Sequence, residues 1–255
     1  MGMLQPGASS ILCGYDQIAD WFKGRDKMRF LSIMFLGIFL LNTARGECLQ
    51  AQLYGLRDKE ALLKTLEKKK TELKENPDDV KILKSLGIIY HNLGILKIHG
   101  APQEAVKYLR RANELMPDDY EVLAYLGSAK TMIARDSWNP IKKISYANEG
   151  IRLIDEAVYK DPDNIAIRFV RANNSLSLPK FFKRSDLAKK DLDYLLELSK
   201  RRKEDFTSEM MAEIYFHLGN ICISEDNPIK AKEYWEKAAK TAPDSKWGRK
   251  ARGKL

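Results

Sequence analysis

The polar side chains in this chain that could do chemistry are few, and three of them share one stripe. Arg168, Arg171 and Asn174 recur at steps of three along the run Ile165–Ser177, the spacing of a single helix face. Two guanidiniums so placed can hold a carboxylate or another anion, and if buried they must be paired. The spacing leaves two outcomes open: an anion site, or an internal salt bridge to a carboxylate such as Asp155 or Asp191. The histidines offer less. His91, His99 and His217 are scattered, and the eight-residue step from His91 to His99 carries no zinc-binding carboxylate pattern. There is no glycine-rich phosphate loop and no nucleophile elbow. The expectation is a protein that is not an enzyme and uses no cofactor or metal.

The elements that must position these residues are set by repetition. Leu218-Gly219 is followed by Ala231 after twelve residues from Gly219, and then by Trp235, Ala238 and Pro243, which lie four, seven and twelve residues after Ala231. Upstream, Leu126-Gly127 precedes Ile154, Ala157 and Pro162, and Leu86-Gly87 with Tyr90 precedes Ala105, Leu109, Ala112 and Pro117. Each unit closes on a related phrase: Asn76-Pro77-Asp78-Asp79, Met116-Pro117-Asp118-Asp119, Asp161-Pro162-Asp163-Asn164 and Ala242-Pro243-Asp244-Ser245. The physical roles are consistent. Gly219 has no side chain to hold off a neighbouring helix, Ala231 and Ala238 are small for the same reason, and Trp235 fills the gap between them. Proline ends the helix, and the Asp or Asn that follows can cap the next one.

Leu-Gly, then Ala-x3-aromatic, then Pro resembles the tetratricopeptide repeat (TPR) family over roughly residues 60–255. The resemblance implies an all-α, right-handed superhelical solenoid of antiparallel helix pairs, with about four repeats and a leading helix. The expected organisation is a non-native or disordered extension at 1–27, a signal peptide or anchor at 28–46, a leading helix within 47–79, the array at 80–245 and a basic tail at 246–255. One unit, between Ile165 and Leu198, departs from the pattern. It has Arg171-Ala172 where Leu-Gly is expected, and no proline closes it. Two others carry insertions, of six residues between Gly87 and Ala105 and eleven between Gly127 and Gly150. These predict longer inter-helix loops, or longer helices beside them.

In this family the first helix of each pair lines a concave groove. The resemblance therefore points to Lys84, His91 and Asn92 in the first unit, Phe169 and Asn173 in the irregular one, and Phe216 and Asn220 in the last. Amides can bond a peptide backbone while aromatic rings hold side chains; the alternative is that both phenylalanines pack between helices. A carboxylate clamp of the chaperone-binding kind needs Asn four residues after Lys84, and Ile88 stands there instead. Leu178-Pro179-Lys180-Phe181-Phe182 places two adjacent aromatics in a turn, as a plug or a partner contact.

The N-terminal region reads as an export signal. Arg29 precedes the apolar run Phe30–Leu41, and Ala44 and Gly46 suit cleavage before Glu47. The run falls short of the roughly 20 apolar residues of a membrane-spanning helix. Residues 1–27 do not suit a signal, so translation from Met28 is one account and a basic flank to an uncleaved anchor is the other. Cys48 raises lipidation, but Arg45, Gly46 and Glu47 depart from the usual lead-in of Leu and small residues. Cys222 lies one turn beyond Gly219 and is expected to be a buried free thiol.

The chain carries a net charge of +9. Residues 1–46 hold five basic and three acidic residues, which leaves +7 without them. That steers acidic partners or an anionic surface, and no base-reading module points to nucleic acid. The expected function is that of an exported bacterial TPR protein, a scaffold or assembly factor in the cell envelope whose partner is a protein or peptide. The alternatives are a solute- or peptide-binding component of an envelope transporter, and a cytoplasmic or membrane-anchored adaptor held through residues 28–46.

Overall fold

The computed structural model describes residues 58–255, which form ten α-helices and, among the described residues, no strand. The leading helix α1 (Lys59–Glu75) is followed by four pairs and a terminal helix. The pairs are α2 (Val80–Ile95) with α3 (Ala101–Leu115), α4 (Tyr120–Asp136) with α5 (Pro140–Lys160), α6 (Ile165–Ser177) with α7 (Ser185–Arg201), and α8 (Ser208–Ser224) with α9 (Pro228–Thr241); the last helix is α10 (Lys246–Arg252). The expectations for residues 1–57, including the signal and Cys48, lie outside the described residues.

The junctions between pairs work as the sequence predicts. Asp79 accepts from the backbone N–H of Lys81 and Ile82, Asp119 from Val122, Asn164 from Ile167 and Ser245 from Gly248. Each cap satisfies a donor that the first helical turn would leave open, and contributes about 1 kcal/mol. The core runs along the array in overlapping stretches. One extends from Leu62 to Val170, the next joins Phe169 and Ala172 to Leu192, Ile214 and Leu218, and the last joins Phe216 to Trp235 and Trp247. No helix pair could bury its apolar stripe alone, which is the defining condition of a solenoid.

Glycines mark the tightest crossings. A Cβ on Gly127 would lie 2.5 Å from the carbonyl oxygen of Gly150, and one on Gly150 would lie 2.4 Å from that of Gly127. The contact is reciprocal and backbone-on-backbone, so α4 and α5 meet closer than any side chain allows. Gly219 faces the Trp235 ring, where a Cβ would lie 2.5 Å from Nε1, as the repeat pattern predicts.

The two insertions have different outcomes. The first is a five-residue turn, Leu96–Gly100, with Lys97 and Gly100 at positive φ. The second lengthens no loop: α4 and α5 are joined by only Ser137–Asn139, and the extra residues make α5 a helix of 21 residues. Its first six residues, Pro140 to Ser145, are all exposed, a projection beyond the packed crossing.

The basic segment 246–255 is largely a helix. Trp247 and Ala251 are buried, and the Trp247 ring lies 5.3 Å from that of Phe216. Apolar residues at steps of three and four close the open end of the core, while Lys246, Arg249, Lys250 and Arg252 share the same helix. Cys222 is buried and free, and burial raises its thiol pKa.

The arginines of the irregular unit face inward to a carboxylate. Asp191 on α7 is fully buried. It accepts from Arg168 Nη1 at 2.8 Å and from Arg171 Nε and Nη2 at 2.7 Å each. Arg171 also lies 3.6 Å from Asp155, which takes a two-pronged bond from Arg184 at 2.6 and 2.7 Å. Arg168 further stacks on Tyr194, 3.6 Å from its centroid, and donates to the Pro162 carbonyl. Of the two outcomes the spacing leaves open, the structure has the internal salt bridge, to both Asp191 and Asp155.

These contacts set two expectations for stability. Gly150→Ala should cost about 2–3 kcal/mol by urea unfolding, because the obstructing atoms are backbone. Gly253→Ala, where the nearest atom is 3.6 Å away, should be neutral or slightly stabilising, and equal effects at both sites would refute the close-crossing account. Asp191→Ala should cost about 3–5 kcal/mol by removing the carboxylate both arginines share, which leaves Arg171 only its longer contact to Asp155. A triple change that also makes Arg168 and Arg171 methionine should recover most of the loss; no recovery would show that charge pairing is not what the site supplies.

Candidate functional groove

The first helices of the four pairs all contribute to one cavity of about 940 Å³. Helix periodicity selects the residues that face it. From α2 come His91, Asn92 and Ile95; from α4, Ser128, Thr131, Met132 and Arg135; from α6, Asn173, Asn174 and Ser177; from α8, Glu213, His217 and Asn220. Trp247 of α10 closes one end. Pro140, Lys143 and Ile144 of α5, with Phe181 and Phe182 from the turn after α6, form the rim.

Hydrogen bonds tie these helices together across the groove. His91 Nε2 lies 2.9 Å from Ser128 Oγ, and its Nδ1 lies 3.3 Å from Asn92 Oδ1. With Nδ1 protonated, the ring donates to the amide and accepts from the hydroxyl. The Tyr125 ring stands edge-on to His91 at 5.0 Å. Asn174 donates to Thr131 Oγ1, Thr131 donates to the Ser128 carbonyl at 2.7 Å, and Asn173 donates to Glu213 at 3.0 Å. Arg135 donates to the Gly94 carbonyl at 3.1 Å, joining the ends of α2 and α4. The result is a shelf of amide, hydroxyl and imidazole groups at one level of the array, with apolar residues above it. A shelf of this kind can match the donors and acceptors of an extended backbone.

The residues expected in the groove divide. His91, Asn92, Asn173 and Asn220 line it. Lys84 does not: it is buried near the start of α2, with Nζ 2.9 Å from both Asp119 and Glu121. Burial works against this ammonium, but Glu121 and Asp119 outweigh it and raise its pKa; burial also raises that of Glu121, with Lys84 opposing. Phe169 is fully buried beside Leu192 and Ile214, and Phe216 is buried against Trp247. Both rings belong to the core, so the packing alternative holds for both. Phe181 and Phe182, singled out in the sequence as a plug or partner contact, stand at the rim, while sequence reasoning missed His217, Tyr125, Trp247 and the α5 part of the rim. His217 lies four residues after Glu213 on the same face, a spacing that could have found it.

No protein-family model matches the chain, and a search of curated proteins finds no match. Solved structures do resemble it. TTC0263, a thermophilic TPR protein of Thermus thermophilus, aligns over 83% of this chain and 98% of its own, at 19% identity and a TM-score of 0.63. A structure of MamA aligns over 76% and 93% respectively, at 18% identity and a TM-score of 0.47. The helix pairs, Pro-Asp junctions and glycine crossings, together with the first of these likenesses, assign the chain the tetratricopeptide-repeat fold.

Proposed function

We propose that the protein is a non-enzymatic scaffold that holds an extended segment of a partner protein in the groove between α2 and α8. The carrying observation is the polar shelf formed by His91, Asn92, Ser128, Asn173 and Asn220 of four helices. An extended chain exposes a backbone donor and acceptor at each residue, and amides match both. We further propose that residues 28–46 direct export, so that the scaffold works in the cell envelope. The charge pattern and the apolar run Phe30–Leu41 support that reading. A second reading, a solute- or peptide-binding component of an envelope transporter, is favoured by the cavity's volume, which falls in the range of small-ligand sites. A cytoplasmic adaptor is the reading that failure of export would leave.

A photo-crosslinking residue at Asn220, inside the groove, should capture a specific protein in cells, while the same residue at exposed Tyr159 should not. Capture from Tyr159 alone would sink the groove as the binding surface. Capture of no protein, with a small solute co-purifying in the cavity, would favour the transporter reading. Sequencing of the mature protein should find Glu47 first; a retained Met28 with cytosolic fractionation would eliminate the envelope assignment.

A further inference from the structure

The turns after α1, α3 and α5 differ in chemistry from those after α4 and α6. The turns between pairs carry Asp78, Asp79, Asp118, Asp119, Asp161 and Asp163. The turns within pairs, at the C-terminal ends of α4 and α6, carry no such run. There stand Trp138, 91% exposed, Ile141 at 79%, Ile144 at 54% and Phe181 at 69%. Interleaved with them are Lys142, Lys143, Lys180 and Lys183, all exposed. Ile144, Lys143 and Phe181 line one cavity mouth, so the projecting start of α5 and the turn after α6 belong to one surface. The ion pairs near it use Arg135 with Asp136, Lys130 with Glu149 and Arg184 with Asp155. Among the described residues, that leaves the four lysines without a carboxylate partner.

We propose that this edge docks on the surface of an anionic lipid bilayer, with Trp138, Ile141 and Phe181 entering the headgroup region and the four lysines meeting lipid phosphates. Three observations favour a bilayer over other occupants. Protein interfaces are depleted in lysine at their centres, whereas interfacial membrane elements combine Lys with Trp and Phe. The apolar side chains here sit on separate turns among the lysines and offer no continuous patch for a flat protein face. A second copy docked by this edge about a two-fold axis would oppose lysines with lysines. The carboxylates closest in sequence to Lys142 and Lys143, Asp136 and Glu149, are already neutralised by Arg135 and Lys130, and exposed Asp186, three residues after Lys183, forms no ion pair with any of the four lysines. The proposal does not depend on what fills the groove.

The test uses the full chain and reads Trp138 alone, because residues 28–46 could themselves hold the protein to lipid. Its fluorescence is taken as the difference between the chain and Trp138→Phe. Trp235 and Trp247 are buried and cancel in that difference, as does Trp21. Brominated phosphatidylglycerol mixed equally with phosphatidylcholine should quench the Trp138 component, and brominated phosphatidylcholine alone should not. Each lysine near such a surface contributes roughly fivefold to partition. Lys142→Gln with Lys143→Gln should therefore lower the quenched share of Trp138 about tenfold or more at limiting lipid, and high salt should do the same. All these substitutions are at exposed sites, so circular dichroism should be unchanged. Absence of quenching on anionic vesicles overturns the proposal, and so does equal quenching on neutral ones. Concentration-dependent shielding of Trp138 without lipid also overturns it, in favour of a second copy.

Discussion

A buried carboxylate governs how the two halves of this array meet. Asp191 has no access to water and holds two guanidiniums, Arg168 and Arg171, on the helix that both stretches of core share. An isolated charge at that depth would be prohibitively costly. Its presence requires that α6 and α7 meet in one register, with both arginines turned inward. Asp155 extends the same logic to α5 through Arg171 and Arg184. An apolar joint would tolerate sliding and rotation. A joint of paired charges has far fewer satisfactory arrangements, although its net contribution to stability need not exceed that of hydrophobic residues of similar volume.

The groove is a consequence of that register. Four helices contribute to it, and the polar shelf exists only while their facing side chains stay in register. The bond from Asn174 to Thr131 and that from Asn173 to Glu213 connect α6 to its neighbours on either side. Both sit within two turns of Arg168 and Arg171 on the same helix. The unit that departs most from the repeat is thus the one that sets the alignment of the binding surface. Its arginines serve the ligand only indirectly, by fixing where the amides stand.

Much of the scaffold was legible because its causes are local. A proline cannot continue a helix, and an Asp or Asn after it caps the next; both are properties of a few adjacent residues. Gly219 with Trp235, and Cys222 one turn on, were readable for the same reason, since spacing on one helix decides which side chains share a face. The candidate site was readable only in part. His91, Asn92, Asn173 and Asn220 line the cavity as expected, while Phe169, Phe216 and Lys84 do not. All seven occupy similar faces of their helices. What separates them is what lies opposite: Asp119 and Glu121 meet Lys84, Leu192 and Ile214 lie beside Phe169, and Trp247 covers Phe216.

The sequence alone therefore determined helix boundaries, pairing order and the positions where backbones approach. These depend on turn chemistry and side-chain size within a few residues. Tertiary structure decided three further matters. Arg168 and Arg171 find their carboxylate about twenty residues away on another helix, so no local spacing could say whether they face a ligand or each other's partner. The eleven extra residues before Gly150 became helix, because Asn139 and Pro140 start α5 early and its first turns have nothing to pack against. Lys246–Arg252 became a closing helix because Phe216 left an apolar face that Trp247 could cover. Each outcome turns on which surface lies opposite, and that is settled only when the array is assembled.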